Sequence, residues 1–274
     1  MSGKKAAKSI KTHHAVKKAP SAAKRKKQAK KEREYISTGI RGFDGLFEHG
    51  IPSGVDVLIS GGAGSGKTIL CLQILYNAAK NGKKCMYMSL EESEGRLREH
   101  MEDFGWDYEK LGGRMIIKRF SIFDISRTLE AMMAKSQGEL LIDVEPVVFP
   151  KGFVPDIIVV DSLSAIASAF AGRESYRSYI EHLFRYFESL GITSFLITET
   201  AQVPDKFSPT GVEEFLADGV IVLYNKRKGD IRESAIEVLK MRGEKHLKKI
   251  VAMRILRGKG IEVYPDQEVF GAAD

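Results

Sequence analysis

From Ile36 onward, short apolar runs alternate with longer segments whose apolar residues recur every three or four positions. "GVDVLISG" (54–61) is short and β-rich, whereas "KTILCLQILYNAAKNG" (67–82) has helical spacing and a stop at Gly82. "KKCMYMSLEE" (83–92) reads as a strand, "SEGRLREHMEDFG" (93–105) as a helix opened by Ser93, and "RMIIKRF" (114–120) as a strand. A further helix is expected over "DISRTLEAMMAKSQG" (124–138), capped by Asp124 or Ser126. "PDIIVVDSL" (155–163) is almost continuously apolar, as a strand covered on both faces should be. The helix "SYRSYIEHLFRYFESLG" (175–191) and the strand "ITSFLITET" (192–200) follow. "DGVIVLYNKRKGD" (218–230) and "ESAIEVLKMRGEKH" (233–246) form an expected hairpin, with "KKIVAMRIL" and "KGIEVYP" after it. The pattern predicts one α/β domain over residues 36–274: a mostly parallel central sheet, helices on both faces and an antiparallel C-terminal edge. Residues 138–154 read as an inserted loop or a small β excursion.

Charge divides the chain differently. Residues 1–33 carry 13 Lys and Arg against one acid, Glu32, a charge of +12, while the rest carries −5. Residues 1–35 have almost no large apolar side chains, so this basic tail is expected to be disordered by itself, with 22–34 able to form a helix when bound. Its charge suits a nucleic acid, an acidic protein or an anionic membrane surface. No apolar h-region follows it, and no apolar run approaches a membrane span, so neither a secretory signal nor a transmembrane segment is expected. Cys71 and Cys85, the only cysteines, lie in apolar settings that predict buried, reduced thiols and a cytoplasmic protein. No CxxC or Cys/His cluster points to a structural metal.

The chemistry begins at "GGAGSGKT". Gly61, Gly62, Ala63, Gly64, Ser65, Gly66, Lys67 and Thr68 satisfy G-x-x-x-x-G-K-[ST] between an expected strand and an expected helix. Glycines let backbone N–H groups wrap a polyphosphate, and the helix N-terminus adds its positive dipole end. Lys67 would reach the β- and γ-phosphates of ATP, and Thr68 would ligate Mg²⁺. Asp161, ending "IIVVD", stands where the second metal-ordering group belongs. Ser162 follows it, where many ATPases of this kind carry their catalytic Glu. The expected water-activating group is therefore the pair Glu91 and Glu92, at the end of the strand immediately after the P-loop helix. A solvated strand cap is the plainer reading of an isolated pair, and the position 24 residues after Lys67, at the sheet edge where the phosphates would lie, reverses it. Thr198 and Thr200, ending "FLITET", are candidates for sensing the γ-phosphate. Far away in sequence, "LKMRGEKHLKK" concentrates Lys240, Arg242, Lys245 and His246 around a strand end, with no catalytic group beside it.

An acid after the second strand is the RecA arrangement. "STGIRGFDGLFEHGIPSG", "GGAGSGKT", "SLEE", "VVDSLSAI", "EEFLADGVIVL", "EVLKMRGEKH" and "GIEVYP", in this order, resemble the KaiC-type ATPases of the RecA/RadA superfamily, particularly the single-domain archaeal ones, over roughly residues 36–272. The resemblance implies a RecA-like fold, ATP and Mg²⁺ as cofactors, and a hexameric ring with ATP at subunit interfaces. It also implies that Lys240, Arg242 and His246 reach the γ-phosphate held by a neighbouring subunit. The clock members phosphorylate themselves on a Ser–Thr pair; the matching residues here are Glu214 and Phe215, so self-phosphorylation is not expected. A RadA-like, DNA-binding recombinase is the alternative. "QVPDKFSPTG" (202–211), where such proteins carry a DNA-facing loop, has only one Lys and one Phe.

Overall fold

The computed structural model describes residues 33–125, 127–128, 131, 145, 147, 149–170 and 172–269. The expected helix over 124–138, most of the 138–154 segment and residues 1–32 of the tail thus lie wholly or largely outside the described residues.

The parallel core follows the apolar runs. It consists of β3 (Asp56–Gly61), β4 (Cys85–Ser89), β5 (Met115–Arg119), β6 (Ile157–Asp161), β7 (Thr193–Glu199) and β8 (Gly219–Lys228). Together with β9 (Ile231–Met241), β10 (Val251–Leu256) and β11 (Gly260–Glu268) they form a nine-stranded sheet of order β11-β10-β9-β8-β3-β7-β6-β4-β5. Pairing is parallel from β8 to β5 and antiparallel from β8 to β11, as the expected hairpins require. A separate two-stranded ribbon pairs β1 (Tyr35–Ile36) with β2 (Ile51–Pro52). Tyr35 therefore belongs to the body, although composition groups it with the tail.

Period-two alternation divides the sheet's side chains between two cores. Val57 and Ile59 of β3 pack with Leu70, Ile74 and Leu75 of α1 (Lys67–Lys80) and Leu97 and Met101 of α2 (Glu94–Asp103). Leu58 faces the other way, toward Tyr179, Ile180, Leu183 and Phe187 of α4 (Arg173–Ser189). Two shorter helices are α3 (Leu163–Ser168) and α5 (Glu213–Leu216). Both thiols are free and buried; burial pushes that of Cys85 up to about 12. Among the described residues no helix is long and apolar enough to cross a membrane.

Candidate functional site

Strand β3 ends at Gly61, and the chain turns through residues 62–66 before α1 begins at Lys67. The turn needs its glycines for identifiable reasons. A Cβ on Gly61 would lie 2.5 Å from the Leu223 carbonyl oxygen, and one on Gly62 would lie 2.8 Å from the Gln202 side chain. Gly66 has φ of +100°, and a Cβ there would come within 2.7 Å of Ile255. The loop is braced from outside: Gln202 Nε2 donates to Ala63 O at 2.9 Å, and Asn225 Nδ2 to Gly64 O at 3.3 Å. Neither brace has a motif around it, which is why the sequence does not reveal them.

Lys67 is buried and folds back, its Nζ donating to Gly61 O at 2.9 Å and Gly62 O at 3.0 Å. Burial lowers its pKa, while Glu199, Asp161 and Glu91 oppose that shift. An ammonium held in such a cradle, with the buried Ser65 hydroxyl unpartnered beside it, fits a polyphosphate anion. Thr68 Oγ1 lies 3.4 Å from Asp161 Oδ2, a hydroxyl–carboxylate pair of the oxygen chemistry that Mg²⁺ prefers. Burial pushes Asp161 up to about 6, against a hydrogen bond from Tyr87 that favours the ionised form. Tyr87 is fully buried, and its role in orienting Asp161 is invisible in "CMYMSL".

The two glutamates part company. Glu91 is exposed and accepts a hydrogen bond from Ser162 Oγ. Glu92 turns toward α2, where its carboxylate meets His100 Nε2 at 3.0 Å and Arg96 Nε at 3.3 Å. Ser162, the residue standing where a Glu was absent, has two tasks: it orients Glu91, and it accepts from Ala165 N at 3.1 Å as the N-cap of α3. At the end of β7, Thr198 is fully buried, with its hydroxyl 3.4 Å from that of Ser164. The exposed residue there is Glu199, while Thr200 N donates to Gly61 O at 3.2 Å.

Lys240, Arg242 and His246 are not part of this cluster. Lys240 Nζ donates to Glu214 O at 3.1 Å and Ala217 O at 2.6 Å, and burial lowers its pKa. Arg242 donates to Phe215 O at 3.0 Å and Leu216 O at 3.3 Å and pairs with Asp218. Two cations thus cover the carbonyl end of α5. His246 is turned against residues 45–48 with both ring nitrogens buried and unpartnered. The ladder fixes how far these groups lie from the phosphate loop. Arg242 N bonds Asp218 O, and Asp218 N bonds Asp56 O. Arg242 is therefore level with Asp56, five residues and about 16 Å along the strand before Gly61.

The profile of the family "ATPase: KaiC" matches residues 36–268. The chain is 33% identical over 234 residues to the circadian clock protein KaiC3 of Synechocystis sp., an alignment covering 85% of this chain and 46% of that protein. It is 30% identical over 234 residues to the circadian clock oscillator protein KaiC 1 of the same organism, covering 84% and 44%. The chain thus spans about half the length of these curated relatives. Among solved structures it resembles a KaiC-like protein from the hyperthermophilic archaeon Pyrococcus horikoshii OT3, with 32% identity and a TM-score of 0.69, covering 85% of this chain and all of that one. These similarities do not favour the RadA-type alternative.

Proposed function

We propose a function from the premise that this chain belongs to the KaiC family of ATPases: it binds ATP with Mg²⁺ and hydrolyses it at interfaces between identical subunits, in a ring that is hexameric. The turnover drives a conformational change that signals to a partner. One observation carries the interfacial reading. Lys240 and Arg242 sit at the amino-terminal edge of the parallel strands, whereas the phosphate loop sits at the carboxyl edge, so an arginine side chain cannot span the gap within one subunit. A second copy that brings its amino edge against this carboxyl edge completes the site.

Within the site each group has a role set by its surroundings. Backbone N–H groups of residues 62–66 and the start of α1 hold the phosphates. Lys67 exchanges its bonds to Gly61 and Gly62 for phosphate oxygens. Thr68 and Asp161 would hold Mg²⁺, which supplies charge neutralisation on the phosphate oxygens. Glu91, oriented by Ser162, positions and deprotonates the attacking water; Glu92 holds α2 in place through Arg96 and His100. The neighbour's Arg242 and Lys240 neutralise charge as it develops on the transferred phosphoryl group. Water is the acceptor. Residues 212–218 contain no hydroxyl, so no stable phosphoester forms at the clock-type position.

The direct test is Mg²⁺-dependent ATP hydrolysis by the full chain and two variants. Lys67→Ala should weaken nucleotide binding. Glu91→Gln should keep binding and slow turnover by about a hundredfold. Wild-type turnover in Glu91→Gln would remove Glu91 from the chemistry.

A further inference from the structure

The turn that carries Arg242 and His246 is held by a strap from the start of the domain. Segment 46–49 runs antiparallel to 245–247: Glu48 N donates to Lys245 O at 3.0 Å, Leu247 N to Leu46 O at 2.8 Å, and Phe47 bridges His246. Two side chains pin what lies between. Glu244 has a side chain only 2% exposed, and its carboxylate accepts from His49 N at 2.7 Å with His49 Nδ1 at 3.3 Å. Arg33 Nη1 donates to Gly243 O at 2.8 Å. Gly243 has φ of +72°, and a Cβ there would meet Arg33 Nη1 at 2.2 Å, so the backbone conformation and the arginine contact require the same glycine. His49 is fixed in turn by Tyr35, whose ring stacks on it at 5.2 Å from the β1–β2 ribbon.

Glu48, His49 and Glu244 bring their ligand atoms within 4.8 Å of one another, which invites a metal-site reading. Lys245 Nζ, 3.3 Å from Glu48, already supplies the positive charge there, and the turn around it is basic. The burial of Glu244 has a different consequence. A buried carboxylate strongly favours the one backbone arrangement that keeps its donor. That donor comes from a separate segment, 195 residues away in sequence.

We propose that Glu244 and Arg33 are positioning residues for hydrolysis across the interface: they lock the 242–246 turn in the shape that delivers Arg242 to the neighbouring subunit's phosphate. The inference rests on the interfacial reading above. Catalytic groups misplaced by about 1 Å can lose a hundredfold in rate, so a loosened turn should lower turnover without touching the nucleotide's own subunit.

The experiment compares ATP turnover, nucleotide affinity and oligomer size in Arg242→Ala, Glu244→Ala, Glu244→Gln and Arg33→Ala. Glu244→Ala should lower kcat by about tenfold or more and leave assembly and nucleotide affinity close to wild type. Glu244→Gln, whose amide oxygen still accepts from His49 N, should recover most of the rate. Mixing Glu244→Ala with Glu91→Gln should restore activity, which a defect confined to the mutated subunit's own nucleotide site would not allow. The Arg242→Ala/Glu244→Ala double variant should be no slower than Arg242→Ala alone. Wild-type turnover in Glu244→Ala beside an inactive Arg242→Ala overturns the positioning role; an active Arg242→Ala overturns the interfacial reading on which it rests. Should Glu244→Ala fail to fold, the exposed Arg33→Ala decides: a lowered kcat, restored by mixing with Glu91→Gln, supports the proposal, and an unchanged kcat overturns it.

Discussion

Ser162 Oγ donates a hydrogen bond to Glu91 Oε1 while accepting one from Ala165 N. The serine that follows Asp161 thus ties the candidate base to the N-terminus of α3. Two consequences can be separated by substitution. Ser162→Ala should lower kcat by about tenfold, since Glu91 is kept but no longer aimed, and should cost about 1 kcal/mol of stability through the lost cap. Steady-state kinetics and thermal unfolding on one preparation check both. Glu92→Gln should leave kcat nearly intact, because its carboxylate is engaged by Arg96 and His100. An equal loss in Glu92→Gln and Glu91→Gln would contradict this division of roles.

Asp56 predicts a pH dependence of stability. Burial, against a hydrogen bond from Ser194, raises its carboxyl from 3.8 to about 7, with Asp218 and Glu188 adding to the rise. Glu181, Arg185 and Arg242 line the same groove. The native state holds a proton that the unfolded chain has lost, so this group's contribution is full below about 4 and falls away as pH rises through about 7. Asp56→Asn removes the titration and keeps an acceptor for Ser194. Its stability relative to wild type should therefore increase between pH 4 and pH 8, by a few kcal/mol at most. A difference in Tm that is constant across this range would show that Asp56 titrates as an ordinary surface carboxyl.

The tail predicts a salt-sensitive partner. With +12 in residues 1–33 and −5 in the remainder, binding to duplex DNA or RNA should reside in the tail, show little sequence preference, and weaken steeply with salt. If about six to eight phosphates are neutralised, affinity should drop by roughly three decades between 50 and 200 mM salt. Because Arg33 bonds the 242–246 turn, the informative deletion removes residues 1–32 only. Filter binding should then be lost with ATP turnover unchanged. A truncated body that binds nucleic acid as tightly as the full chain would assign the affinity to the domain instead.

Much of this site can be read from the chain because its chemistry is local in sequence. The phosphate loop spans the end of β3 to the start of α1 in eight consecutive residues, and Asp161 ends a strand whose apolar run announces it. The strand–helix order and the C-terminal hairpins follow from periodicity for the same reason. What stays hidden is tertiary. Tyr87 reads as a core aromatic until the sheet register, which pairs it with Val159, lets its hydroxyl reach diagonally to Asp161 two residues on. Gln202 and Asn225 reach the loop from other strands and turns, and Glu244 finds His49 across the domain. Glu91 and Glu92 are adjacent and chemically identical; only the packing of α2 turns one toward Arg96 and leaves the other beside Ser162.

In the proposed interfacial site one subunit supplies Glu91 and its neighbour supplies Arg242 to the same ATP. Glu91→Gln and Arg242→Ala should each be nearly inactive alone. Oligomers assembled from equal amounts of both contain interfaces where an intact Glu91 faces an intact Arg242, and should recover about a quarter of the wild-type rate if interfaces act independently. The measurement is ATP turnover of the mixture, with native mass spectrometry on the same sample to show that both chains share oligomers. Recovered turnover is expected; mixed oligomers as inactive as either parent would rule out a site shared between subunits.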